Sequence, residues 1–269
     1  MAGEKGEAEK TEDTKLGINI VSEYYYKSNN AVFEAVHQLP YSVEEAINRL
    51  RINISFLGSD VRKIMVISSE PNEGKSFLTF NLWKQMAQAG EKTIFIDTDM
   101  RNSNLVAKHQ IKRYDGADMK GTSHYLAGNA QIDEVLMHTA FKHGDIIPNV
   151  ENVVNPSMLL ETSKFEELME ALAKRYRYVF VDAPPLGLVS DGERIGNICD
   201  GAILCVRSGM TSKSVVREAV RQLERAGCPL LGIVLNRVDE SKGGYGKYGK
   251  YGKNGKYGSY YNYYGSGDK

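Results

Sequence analysis

Lys63-Ile64-Met65-Val66-Ile67-Ser68-Ser69-Glu70-Pro71-Asn72-Glu73-Gly74-Lys75-Ser76 puts an apolar run, a turn-rich loop and the opening of a helix into one stretch. The run is short and continuous, as expected of a strand buried on both faces. From Ser76 to Ala89 the residues follow helical spacing, and Gly90 stands where a helix would end. Ser69 to Ser76 matches G-x-x-x-x-G-K-[ST] at Gly74, Lys75 and Ser76, with Ser69 in place of the first glycine. In such a loop the backbone N–H groups face phosphate oxygens and the helix dipole favours their charge. Gly74 lets the backbone approach closely, Lys75 is placed to reach the β- and γ-phosphates, and Ser76 to bind Mg²⁺. Asn72, Glu73 and Phe77 complete the predicted nucleotide-binding stretch.

Outward from this loop the pattern repeats. Thr93–Asp97, Tyr178–Asp182, Ala202–Val206 and Leu231–Asn236 are further apolar runs, read as strands. Helical segments lie between them: Ser42 to about Phe56, opened by the capping-box spacing of Ser42 and Glu45; Asn155-Pro156-Ser157 on to Arg175 with a break; and Ser212 to Ala226 with Gly227 after it. Apolar strands alternating with helices predict an α/β fold, a parallel sheet with helices on both faces. Function in such a sheet belongs at the strand C-terminal ends.

Two of those ends are acidic. One reads Phe95-Ile96-Asp97-Thr98-Asp99-Met100-Arg101, the other Val179-Phe180-Val181-Asp182-Ala183-Pro184-Pro185. Carboxylates just past apolar strands are costly unless a cation or hydrogen-bond donors compensate. Mg²⁺ on nucleotide phosphates is the predicted compensator, with Asp182 and Ser76 positioning it and Asp97 a further candidate ligand. Asp97 and Asp99 sit two residues apart on one side of an extended chain, so one could hold metal while the other takes a proton. Arg101 is expected to neutralise these carboxylates or the phosphates. Arg207 and Asn236, at the ends of the last two strands, are candidate nucleotide contacts or structural residues.

Composition bounds the rest. Lys+Arg and Asp+Glu both number 34, so no global basic footprint for nucleic acid exists and no nucleic-acid partner is expected. No apolar run is long enough to span a membrane, and the polar, acidic start is unlike a signal peptide. Cys199, Cys205 and Cys228 lack metal-ligand spacing and read as reduced thiols, Cys199 and Cys205 lying near or within apolar segments. The expected organisation is a flexible segment over 1–35, a domain over 36–241 and a low-complexity tail over 242–269. That tail carries eight tyrosines (Tyr245, Tyr248, Tyr251, Tyr257, Tyr260, Tyr261, Tyr263, Tyr264), six lysines and a single acid, Asp268.

These residues resemble the bacterial tyrosine kinases, the BY-kinases of capsule and exopolysaccharide production. The resemblance rests on the loop lacking its first glycine, on D-x-D-x-R at Asp97 to Arg101, on D-x-x-P at Asp182 to Pro185, and on the terminal tyrosine cluster. It implies a P-loop NTPase-type fold and ATP- and Mg²⁺-dependent phosphorylation of the tail tyrosines by an adjacent subunit. Lys75, Asp97, Asp99 and Asp182 are then catalytic, with Asp97 the candidate base and Asp99 its alternate. The implied partners are a ring of like subunits, the cytoplasmic segment of a membrane adaptor as activator, and a protein-tyrosine phosphatase, which places the chain in the cytoplasm against the membrane. The family helix ahead of the loop carries E-x-x-R-x-x-R for subunit contact. Here those positions are Glu45, Asn48 and Arg51, and Asn48 lacks the charge and fork of arginine. Neighbouring Arg49 lies about 100° around the helix and faces elsewhere.

Two other readings share parts of this pattern. A partitioning-type ATPase switch has the same fold, but carries a lysine where this chain has Glu70. A scaffold acting through its tail would not need Lys75, Ser76 and all three strand-end acids. Tyr24, Tyr25 and Tyr26 are additional acceptors or hydrophobic anchors.

Overall fold

The structure, a computed structural model, describes residues 30–187 and 190–238. Its strands are β1 (Asn30–Phe33), β2 (Lys63–Ser68), β3 (Thr93–Asp97), β4 (Ile111–Arg113), β5 (Met137–Thr139), β6 (Gly144–Ile147), β7 (Tyr178–Asp182), β8 (Gly201–Arg207) and β9 (Leu230–Asn236). The helices are α1 (Tyr41–Ser55), α2 (Lys75–Gln88), α3 (Leu105–His109), α4 (Thr122–Leu126), α5 (Ile132–Val135), α6 (Ser157–Leu160), α7 (Ser163–Arg175), α8 (Asp191–Ile198) and α9 (Lys213–Arg225). All strands join one sheet in the order β4-β1-β5-β6-β3-β7-β2-β8-β9. The five strands anticipated from apolar runs are contiguous in it, β3-β7-β2-β8-β9, and parallel.

Alternation along the strands divides the core. Ile64 and Val66 of β2, Phe95 of β3 and Phe180 of β7 pack with Leu78, Phe80, Leu82 and Trp83 of α2 on one face. Met65, Ile67, Ile94, Ile96, Val179 and Val181 pack with Phe165, Leu168 and Leu172 of α7, Ile195 of α8 and Leu223 of α9 on the other. Each such fully buried side chain contributes about 1.5–3 kcal/mol of hydrophobic stabilisation. Cys199, Cys205 and Cys228 are buried and form no disulfide with one another, and burial pushes the Cys205 and Cys228 thiols up to about 12.

The helix ends show which local signals act. Gly90, at φ +91°, closes α2 with Glu91 N–H donating to the Met86 carbonyl (3.1 Å), a Schellman ending. Ser212 caps α9, its hydroxyl accepting from Val215 N–H at 3.3 Å. The capping box expected of Ser42 and Glu45 does not form. α1 starts at Tyr41, and the carbonyl of Pro40 takes the Val43 and Glu44 amides instead. The fixed φ of proline moves the helix start ahead of the serine.

The sheet also reaches beyond the anticipated strands. β1 lies inside the 1–35 segment expected to be flexible; it pairs parallel to β5 and antiparallel to β4. β5 is antiparallel to β6, and β6 extends the parallel core beside β3. The tail cluster from Tyr245 to Tyr264, and Tyr24 to Tyr26, lie outside the described residues. Among the described residues no helix is long and apolar enough to cross a membrane.

Candidate active site

The C-terminal ends of β2, β3, β7 and β9 open on one cavity of about 890 Å³, walled on its far side by Val43, Ile47 and Leu50 of α1. β2 lies where the strand order reverses, between β7 and β8, so the loop after it sits at the topological switch point.

The loop from Ser69 to Gly74 is held from behind. Glu73 is 2% exposed. Its carboxylate accepts the Glu70 amide at 2.8 Å, the Arg207 amide at 3.1 Å and the Thr211 hydroxyl. Its carbonyl accepts Asn236 Nδ2 at 2.8 Å and Cys205 Sγ at 3.3 Å. Gly74, at φ +98°, is required twice over: the backbone is left-handed there, and a Cβ would fall 2.0 Å from Asn236 Nδ2. The amides of Asn72, Glu73 and Gly74 have no hydrogen-bond partner among the described residues. A turn with uncommitted N–H groups at a helix start fits an anionic phosphate.

The acids gather around Lys75. Asp97 and Asp182 stand opposite each other in the β3–β7 register. Lys75 Nζ lies 2.8 Å from Asp99 Oδ2 and 4.0 Å from Asp182 Oδ1. Asp97 accepts the Ser103 hydroxyl at 2.5 Å and the Asp99 amide at 3.1 Å. Asp182 accepts the Thr79 hydroxyl at 3.3 Å, and the nearby Ser76 hydroxyl favours its charged form. Burial, then the charge of Asp182, pushes Asp97 well above the usual carboxylate range; burial also raises Asp182, against the pull of Lys75. Burial works to lower Lys75, but attraction to Asp182 and Asp99 outweighs it and the ammonium is held more firmly. Three buried carboxylates thus share one ammonium. That donor set, hard oxygens with an unmet need for positive charge, fits Mg²⁺ held by Ser76 and Asp182 with Asp97 behind.

The remaining predicted residues separate. Asn72, Phe77, Arg101 and Asn236 line the cavity. Glu73 and Arg207 act from outside it, Glu73 turned inward as the loop anchor and Arg207 through its amide. Arg101 makes its direct ion pair with Asp191, at 2.7 Å, and feels the charge of Asp99 at longer range. The strand end turns at Met100, which is fully buried, and carries the side chain of Arg101 toward α8. On α1, Glu45 and Arg51 are half-buried and Arg49 is exposed. Asn48 is engaged rather than idle, its Oδ1 accepting Arg51 Nε (3.1 Å) and Nη2 (2.9 Å).

Sequence reading missed Thr79, Ser103, Thr211 and Asp191. Thr79 carried a usable signal: it lies three residues after Ser76, on the same helix face. Ser103, Thr211 and Asp191 reach their partners through tertiary packing and had none.

The sequence matches the AAA domain family over residues 61–195. The tyrosine-protein kinase CpsD of Streptococcus agalactiae serotype III (strain NEM316) is 37% identical over 203 residues, covering 76% of this chain and 86% of that protein. The tyrosine-protein kinase etk of Escherichia coli (strain K12) is 30% identical over 215 residues, 79% of this chain but 29% of that longer protein. Among solved structures, the kinase domain of Escherichia coli tyrosine kinase ETK superposes with a TM-score of 0.67 at 28% identity, covering 80% of this chain and 84% of that one. The septum site-determining protein MinD of Pyrococcus horikoshii OT3, complexed with Mg-ADP, shares the fold at 24% identity and a TM-score of 0.58, over 68% of this chain and 72% of that one. A phosphate loop without its first glycine, acids at two adjoining strand ends and kinship along three-quarters of the chain lead to one assignment: the chain belongs to the bacterial tyrosine kinases.

Proposed function

We propose that this chain is an ATP- and Mg²⁺-dependent protein-tyrosine kinase that phosphorylates the tyrosine cluster Tyr245 to Tyr264 of an adjacent copy and serves capsule or exopolysaccharide synthesis. The carrying observation is the convergence of Lys75, Ser76, Asp97, Asp99 and Asp182 beside a loop with uncommitted amides. The loop amides and Lys75 hold the β- and γ-phosphates; Ser76 and Asp182 hold the metal. Bound Mg²⁺ supplies charge neutralisation at the phosphate oxygens. The tyrosine hydroxyl attacks the γ-phosphorus in line, a P–O bond forms, the bond to the β–γ bridging oxygen breaks, and ADP departs. Asp97, or Asp99 as its alternate, orients the phenol and accepts its proton.

On this reading Asn72 and Phe77 border the nucleotide, and Asn236 meets it from the end of β9. Glu45 and Arg51, the latter steadied by Asn48, face a neighbouring subunit in a ring. The cytoplasmic segment of a membrane adaptor activates the kinase at the membrane, and a tyrosine phosphatase resets it. Each phosphate adds about −1.5 to −2 charge to a lysine-rich tail, enough to reverse its sign and weaken subunit contacts. A switch ATPase of the MinD kind is the second reading, favoured by the fold alone. Against it stands Glu70, exposed where that class carries a lysine.

Phosphotyrosine mapping after incubating phosphatase-stripped protein with Mg²⁺-ATP and the activator segment tests the proposal. Tail phosphorylation is expected, absent in Lys75→Met and in a chain ending at Ser241. Steady ATP hydrolysis without phosphotyrosine would select the switch ATPase.

A further inference from the structure

Arg101, Asp191 and Ser157 close a triad at the edge of the cavity, drawn from three separate stretches of chain. Asp191 is 2% exposed and takes no part in the cluster around Lys75. Its Oδ2 accepts Arg101 Nε at 2.7 Å; its Oδ1 accepts Arg101 Nη2 at 3.3 Å and the Ser157 hydroxyl at 2.5 Å. Nη2 also donates to Ser157 Oγ at 3.1 Å. Nε and Nη2 are therefore both engaged by this pair. Nη1 has no partner among the described residues, and the Arg101 side chain, 32% exposed, lines the same cavity as Lys75, Ser76 and Asp99. The clamp has a rigid seat: α8 begins at Asp191, and the next residue, Gly192, is packed so tightly on β2 that a Cβ would fall 2.8 Å from Ile67 Cδ1.

We infer that Asp191 and Ser157 are positioning residues that hold Arg101 side-on, so that its free Nη1 edge meets the γ-phosphate during transfer. Arg101 lies two residues beyond Asp99, the partner of the Lys75 ammonium, feels the Asp99 charge, and lines the same cavity as both. A guanidinium fixed along one edge needs no reorganisation when charge spreads on the transferring group. Lysine could not replace it, having no second edge to be held by. The inference rests on the kinase reading.

The test uses the full chain with its activator segment, comparing Asp191→Asn, Arg101→Lys, the double variant and Ser157→Ala. kcat and KM for ATP are read from tail phosphorylation, and ADP affinity from calorimetry. Asp191→Asn is expected to lower kcat about tenfold while ADP affinity stays within about twofold. The double variant should be no slower than Arg101→Lys alone. Ser157→Ala, which spares the Arg101–Asp191 pair, should lose about two- to fivefold and answers the question if Asp191→Asn fails to fold. Wild-type kcat in Asp191→Asn, multiplying losses in the double variant, or ADP affinity falling in step with kcat would each overturn the clamp. If the wild type makes no phosphotyrosine, the kinase reading fails instead. The same series is then scored on ATP hydrolysis, where additive losses overturn the clamp and non-additive losses support it.

Discussion

The two flanks of the phosphate loop both bury carboxylates, and they treat them oppositely. On the β8–β9 flank Glu73 accepts from two amides and a hydroxyl, so a buried negative charge is saturated by neutral donors. On the β3–β7 flank Asp97, Asp99 and Asp182 crowd around the single ammonium of Lys75. A saturated acid fixes backbone, whereas an under-compensated cluster leaves an unmet need for positive charge. The same residue type is architecture on one side and, on the proposed function, chemistry on the other.

Substitutions on each flank can break that contrast. Asp182→Asn is expected to cut tail phosphorylation by about 10²–10³-fold, while the nucleotide-free protein melts no lower than wild type because a repulsion is relieved. A clear fall in melting temperature would make Asp182 structural and erase the distinction. Glu73→Ala should do the reverse first, costing about 2–4 kcal/mol, or some 2–4 °C of melting temperature per kcal/mol; Glu73→Gln, which keeps an acceptor, should lose less. Equal stability of Glu73→Ala and wild type in thermal melts would refute the anchor. Asp97→Asn and Asp99→Asn sharpen the acidic flank: unequal phosphotransfer identifies the base, and equal rates reject the assignment.

The smallest effect is on pH dependence. Burial and Asp182 raise Asp97 from 3.8 to about 8 in the folded protein, so between these values the folded chain keeps a proton that the unfolded chain releases. Stability of the nucleotide-free protein should therefore fall as pH rises through that window, and Asp97→Asn should flatten the slope. Melting curves with matching slopes in both proteins would contradict this.

Much of the fold was legible because five strands are long, apolar and β-rich enough to announce themselves. β1, β4, β5 and β6 were not, since each has three or four residues and runs such as Ile111-Lys112-Arg113 carry no periodic signal. Their place comes from pairing partners distant in sequence, not from local pattern. In the candidate site, the meeting of Gly74, Lys75, Ser76 and the strand-end acids was legible because they stand at the ends of recognisable strands and the start of a helix. Arg101 was readable as a site residue but not its partner, for Asp191 lies 90 residues away. The Ser42–Glu45 signature misled because Pro40 supplies the cap carbonyl two residues earlier.

The contact between Asn236 and the Glu73 carbonyl, 163 residues apart, carries a consequence for how the protein is made. β9 lies at the sheet edge beside β8 and follows every other strand among the described residues. A nascent chain emerging from the ribosome can form β2, α2, β3 and β7 while its phosphate loop still lacks the side chain that closes against Gly74. The loop reaches its final shape only when β9 docks, after the other described strands have been made.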